Sequence, residues 1–281
     1  MDVAILSVVS AVALGLAGAL ALRWGRLRVE HGRASDDDDT PSASVMVRRY
    51  LRSLAIAVVS GAIAGPLVLG LGGRLAMRIT AATSGDGAQG TATDAEEIVG
   101  EITFGGTVGL VIFVGLFGGF LGGLVYMGLR RFLPGPAWRA GMVVGLLGLA
   151  VFGRLAALDP DSIDFEILTP RWLTVVPFVL LAPLFGIVLA AVAERLDRSY
   201  PLLAARPGPI VAHLPLLALA AGLPILALLV AGGVLAATAP KGLRRAWRSV
   251  AVERGGQVLL AAVLAVGLTW VGTGVADIVS S

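Results

Sequence analysis

Six stretches of this 281-residue chain run for 20 residues or more without a single Asp, Glu, Lys or Arg: 3–22, 53–73, 102–129, 172–193, 207–240 and 255–276. At 1.5 Å of rise per residue, a helix of that length crosses the roughly 30 Å hydrocarbon core of a bilayer. Charged residues make up only 15% of the chain, against about 25% in soluble domains, so too little polar surface is left to cover such stretches in water. Disorder fails for the same reason. With no cysteine, a disulfide-stapled module is excluded as well. The class that remains is an all-α, polytopic integral membrane bundle.

A further uncharged run, 140–153, has 14 residues and spans only when Arg154 is included. The pattern therefore predicts about seven transmembrane helices: 3–22, 53–79, 102–129, 140–158, 172–193, 209–238 and 256–276. Residues 1–22 read as an N-terminal transmembrane anchor. Ala19-Leu20-Ala21 resembles a cleavage site, but Asp2 precedes the apolar run and Arg23, Arg26 and Arg28 follow it, the reverse of a signal peptide. Residues 23–52, with seven arginines and the acidic run Asp36–Asp39, read as a polar cytoplasmic linker. Residues 53–281 then form a six-helix transmembrane bundle.

Charge arithmetic sets the expected orientation. With the N-terminus outside, the cytoplasmic loops 23–52, 130–139 and 194–210 carry 7, 3 and 3 basic residues, and the outer loops 74–101 and 154–171 carry two each. The C-terminus is then cytoplasmic. Loop 239–256 departs from the rule with five basic residues. It lies outside, or the run before it doubles back near Pro224. The 21 arginines against a single lysine point to a GC-rich genome and a bacterial cytoplasmic membrane.

A short repeat accompanies this layout. Gly73-Arg74-Leu75-Ala76 and Gly153-Arg154-Leu155-Ala156 each close a helix, and Gly232-Gly233-Val234-Leu235-Ala236 echoes them. The expectation is an added first helix followed by three parallel hairpin repeats, an arrangement known in transporters.

Two residue types carry the candidate functional positions. Arg74, Arg78 and Arg154 fall at outer helix ends, where a charge must snorkel or find a partner. Glu101, Asp164 and Glu166 are the expected partners, with Arg154 paired to Asp164, Glu166 or a carboxylate near Glu101. Such arginines form either an outward basic vestibule for anionic solutes or headgroups, or structural pairs with their own loops. The second type is glycine at four-residue spacing: Gly61/Gly65, Gly115/Gly119/Gly123 and Gly141/Gly145. This spacing lets backbones approach closely, inside one bundle or across a homo-oligomer seam.

No zinc-protease, nucleophile-elbow or phosphate-loop motif occurs, and the only histidines are His31 and His213. The acidic segment 159–166 lacks the glycine turn of a calcium loop. No enzyme, metal or cofactor is expected, and no nucleic acid. The expected partners are membrane lipids and a second membrane protein or a second copy of the chain. The sequence favours a non-catalytic membrane scaffold or assembly partner. A carrier or channel for a small, anionic solute is the alternative, and a lipid-active enzyme the third reading.

Overall fold

The computed structural model describes residues 43–280 except 94–97, 102, 134, 157, 160, 163, 205–206, 222–230, 233, 235–237, 239–241, 243–245 and 248. The expectations for helix 3–22, for the linker to residue 42 and for most of 222–248 lie outside these residues. Regular structure among the described residues is helical, with one isolated bridge between Ala92 and Ile98. Among the described residues five helices are long and apolar enough to cross a membrane: α1 (Ser44–Thr83), α2 (Phe104–Phe132), α3 (Ala137–Leu155), α4 (Arg171–Ser199) and α6 (Val250–Val279). A shorter apolar helix, α5 (Pro207–Leu217), precedes the last of them.

Several helix ends differ from the uncharged runs because charges at the ends find partners inside the bundle. Residues 44–52, expected as the end of the linker, are helical, and Arg52 bonds across to α4. Likewise α4 continues past Glu194 to Ser199 because Glu194 and Asp197 are both paired. Of the expected helices, the second, 53–79, corresponds to α1 and the fourth, 140–158, to α3. The latter starts three residues earlier, where Pro136 O accepts from Arg139 N (2.9 Å) and Ala140 N (3.2 Å). It is closed by Leu158 N donating to Gly153 O at 2.9 Å. At the start of α2, Thr103 caps the helix by accepting from Gly106 N at 3.1 Å.

Helices α1 and α2 form one hairpin, α3 and α4 a second, and each is sealed along a glycine seam. A Cβ added to Gly61 would collide with Gly119 O, one on Gly65 with Gly115 O, and one on Gly123 with Ala57 O. In the second hairpin, Gly141 lies on Gly186 O and Gly145 on Ala182 O. These obstacles are backbone atoms, which cannot swing aside, so only glycine permits the approach. Gly267 of α6 meets Ala150 of α3 in the same way, with its Cβ position 2.5 Å from that of Ala150.

The main core gathers Ile56, Val59, Leu116, Phe120, Val144, Phe185 and Leu189 from both hairpins. A second core, with Leu149, Phe165, Val175, Val271 and Ile278, joins α6 to the second hairpin and the loop before α4. Much apolar surface of α6 stays exposed, Val266 at 73% among it, as a helix bordered by lipid requires.

The first hairpin is wound unusually. Gly65–Gly72 in α1 and Leu110–Phe117 in α2 are π-helical, and the two runs lie against each other. Pro66, at the start of the first run, has no N–H to continue the α ladder. The second run contains no proline; it shares with the first the close approach of Gly115 to Pro66, a Cβ there standing 2.9 Å from Pro66 Cα.

Candidate functional site

The two ends of the bundle are chemically different. At one end α1 and α3 finish and the loops after them meet; at the other α1 begins and α2 and α4 finish.

The second of these ends is tied together by charge, beside a cavity of about 450 Å³ lined by Tyr126, Arg130, Ala140 and Glu194. Arg52 Nη1 meets Asp197 Oδ1 at 2.6 Å, and its Nε donates to Tyr200 O at 2.9 Å. Arg130 divides its guanidinium between Asp197 Oδ2 (2.8 Å) and Glu194 Oε2 (2.9 Å). Tyr126, almost wholly buried, donates its hydroxyl to Glu194 Oε1 at 2.9 Å. Three helices are thereby joined through five side chains that are roughly a quarter to a third exposed, apart from Tyr126. Beyond them, Tyr200 donates to Ala212 O and packs edge-on against His213 at 5.5 Å. Burial raises the Tyr200 hydroxyl above its ordinary pKa, so it stays a donor at neutral pH.

The opposite end holds a cavity of different make. This cavity, of about 400 Å³, lies between the C-terminal part of α1, the start of α4 and the two intervening loops. Arg74 and Arg78, one turn apart, line it from α1 beside Met77 and Thr80. The first loop contributes Glu101, which follows Gly100; the positive φ of Gly100 (90°) is a turn that favours glycine. The second loop contributes Asp159, Ser162 and Asp164, and α4 contributes Thr174 and Phe178. Two ties hold the loops in place: Thr169 N donates to Ser84 Oγ at 3.2 Å, and Arg171 Nε to Phe165 O at 2.9 Å. Thr174 is 3% exposed, and its hydroxyl oxygen has no hydrogen-bond partner among the described residues.

Of the six charged positions singled out in the sequence, Arg74, Arg78, Glu101 and Asp164 therefore share one cavity. Arg154 does not line it. Among the described residues, Asp164 and Glu101 included, Arg154 makes no ion pair; Glu166 and the carboxylates Glu96 and Glu97, its other expected partners, have side chains outside that set. Its guanidinium lies instead over the ring of Trp270 on α6, 5.2 Å from the centroid, with Gly274 alongside. Glu166 falls in the helical turn Asp164–Ile167, and its side chain lies outside the described set. All seven singled-out glycines lie in the seams between helices of the same chain.

Sequence reasoning missed the paired end entirely. Its signal was available: Glu194 and Asp197 are three apart on one helix face, and Arg52 and Arg130 flank other uncharged runs. It also missed Thr174, which nothing in the local sequence marks. Comparison of the chain with known protein families, with curated proteins and with solved structures returns no match.

Proposed function

We propose that this chain is a membrane carrier that admits a small charged solute to the cavity between its hairpins. The observation supporting this reading is a cavity of about 400 Å³ lined by charges from α1 and two loops, at the end opposite the ion pairs that join α1, α2 and α4. A carrier opens its site to one side at a time, and ion pairs that join three helices are contacts that can hold the other side. The volume lies within the range of small-molecule sites, about 300–1,000 Å³. The scaffold reading rests on glycine stripes, and those stripes are engaged within the chain. A lipid-active enzyme has no nucleophile or metal set to argue from.

The proposed setting is a bacterial cytoplasmic membrane, surrounded by lipid. We take the chain to have seven spans, adding 3–22 and one within 207–240, with the N-terminus and the cavity outside and the C-terminus cytoplasmic. The positive-inside balance of the first four loops supports this orientation. We also take the hairpins as copies of one unit, the third lying in 207–279. In support, Gly61, Gly65 and Arg74 are spaced as Gly141, Gly145 and Arg154 are, with 80 positions between the copies. Gly119 and Gly186 face Gly61 and Gly141 in turn.

Proteoliposomes test the reading. Wild-type protein should take up at least one of radiolabelled phosphate, aspartate, ethanolamine and phosphoethanolamine above empty vesicles. Arg74→Gln/Arg78→Gln, eluting as a folded particle, should lower that uptake about tenfold or more, the worth of one lost charge-assisted hydrogen bond. Uptake no better than empty vesicles for all four solutes contradicts the reading.

A further inference from the structure

Three charges of opposite sign line the cavity without neutralising one another. Arg78 stands on α1, Glu101 after the Gly100 turn and Asp159 after α3. Among the described residues none of the three makes an ion pair, whereas Arg130 and Asp197 at the other end of the bundle do. Asp159 is held by its own loop, with Oδ1 accepting from Asp161 N at 3.2 Å. Opposite charges in one concave, partly apolar space attract each other. Here they sit on separate elements that keep them apart.

That arrangement discriminates among ligands. A simple anion drawn to Arg74 and Arg78 would also meet Glu101, Asp159 and Asp164. A simple cation would meet the guanidiniums. Only a ligand carrying both signs lowers the energy of both walls, and like-charge contacts penalise the others.

We propose that the cavity binds a compact zwitterion, its oxyanion on the Arg78 side and its ammonium on the side of Glu101 and Asp159. This rests on the reading of the cavity as a solute site. Thr174 supplies an independent observation: a hydroxyl 97% buried in the cavity wall, by difference from its 3% exposure, and without a partner among the described residues. Such an orphan is costly unless a ligand or water completes it. Met77 and Phe178 add an apolar wall that limits water and strengthens each charge contact. The oxyanion–ammonium chemistry has two sources, a free solute and the headgroup of a zwitterionic lipid.

Titration calorimetry of the purified full chain in detergent tests the proposal with three probes: phosphoethanolamine, inorganic phosphate and ethanolamine. Phosphoethanolamine should bind about tenfold or more tightly than either fragment, as one added charge contact implies. Arg78→Gln should weaken phosphoethanolamine and phosphate alike. Asp159→Asn should weaken phosphoethanolamine yet leave phosphate unchanged or tighter, a reversal that mere loss of folding cannot produce. Phosphate binding as tightly as phosphoethanolamine, with Asp159→Asn without effect, overturns the zwitterion while leaving the cavity a solute site. No binding by any probe at millimolar concentration overturns both. The two sources separate in nanodiscs: abolition of phosphoethanolamine binding by phosphatidylethanolamine, and not by phosphatidylglycerol, keeps the zwitterion and assigns it to lipid, against the free-solute reading.

Discussion

The hairpins α1/α2 and α3/α4 are sealed by the same device and wound differently. In each, two glycines four residues apart lie on the backbone of the partner helix, and an arginine follows the second glycine by nine positions. In α1 those nine positions pass through the π run Gly65–Gly72; in α3 they are α-helical throughout. A π turn holds more residues than an α turn, so equal spacing sweeps a smaller angle. Arg74 emerges into the cavity, and Arg154 turns onto Trp270. Proline alone does not set the winding, since Pro177 and Pro183 sit inside α4 and that helix stays α. What distinguishes Pro66 is its place between two glycines, Gly65 and Gly115, each pressed against the other helix. Winding, rather than residue type, decides which arginine serves the cavity and which one packs.

The largest expected effect tests what the hairpins share. Gly119→Leu and Gly186→Leu each drive a side chain into a facing carbonyl, with only backbone in the way. Both should lose about 3 kcal/mol or more of stability, the severe end of overpacking, read as a fall in thermal midpoint in detergent. A normal midpoint for either one would show that its seam is looser than its twin. Next in size, Asp197→Asn takes from Arg52 its carboxylate and leaves Arg130 with Glu194 alone. These groups are partly exposed, so the cost should fall between a surface pair and a buried one, about 2 kcal/mol. Chemical unfolding would read it, and no change would mean that the ion-paired end is held by packing alone.

Much of this was legible in the sequence, and for a physical reason. Uncharged runs report burial in lipid directly, so the existence of α1, α2, α4 and α6 follows from composition. Their ends do not, because Arg52, Glu194 and Asp197 are charged yet helical: each is neutralised by a residue some 65 to 145 positions away, or more. Glycine spacing marks Gly61 and Gly141 as places of close approach, but a single chain cannot say whether the approaching backbone is its own. Arg74 and Arg154 look alike in sequence because the π run that separates them depends on two helices touching. The carboxylate expected for Arg154 is chosen by nearness along the chain, whereas the ring that lies under its guanidinium comes from α6, more than a hundred positions away.

Two smaller effects sharpen the comparison. Pro66→Ala restores an N–H and so permits α winding in α1, which would carry Arg74 toward the direction that Arg154 takes. Its stability should change by no more than about 1 kcal/mol, because the strained bonding it relieves offsets the lost fit. Calorimetry with phosphoethanolamine should nonetheless show weakened binding. Unchanged binding would detach the π run from the cavity. Smallest of all, Gly128→Ala in α2 has open space around it. It should gain about 0.5–1 kcal/mol from helix propensity alone, seen as a slightly higher midpoint. A loss there would reveal a neighbour outside the described residues.

The central claim is that one of two equivalently spaced arginines belongs to a binding site and the other does not. Phosphoethanolamine affinity of Arg74→Gln and Arg154→Gln, measured side by side on folded protein, tests it most directly. The account predicts that Arg74→Gln weakens binding about tenfold or more, as loss of a charged contact should, while Arg154→Gln binds as wild type. Wild-type affinity in Arg74→Gln together with lost affinity in Arg154→Gln would contradict it.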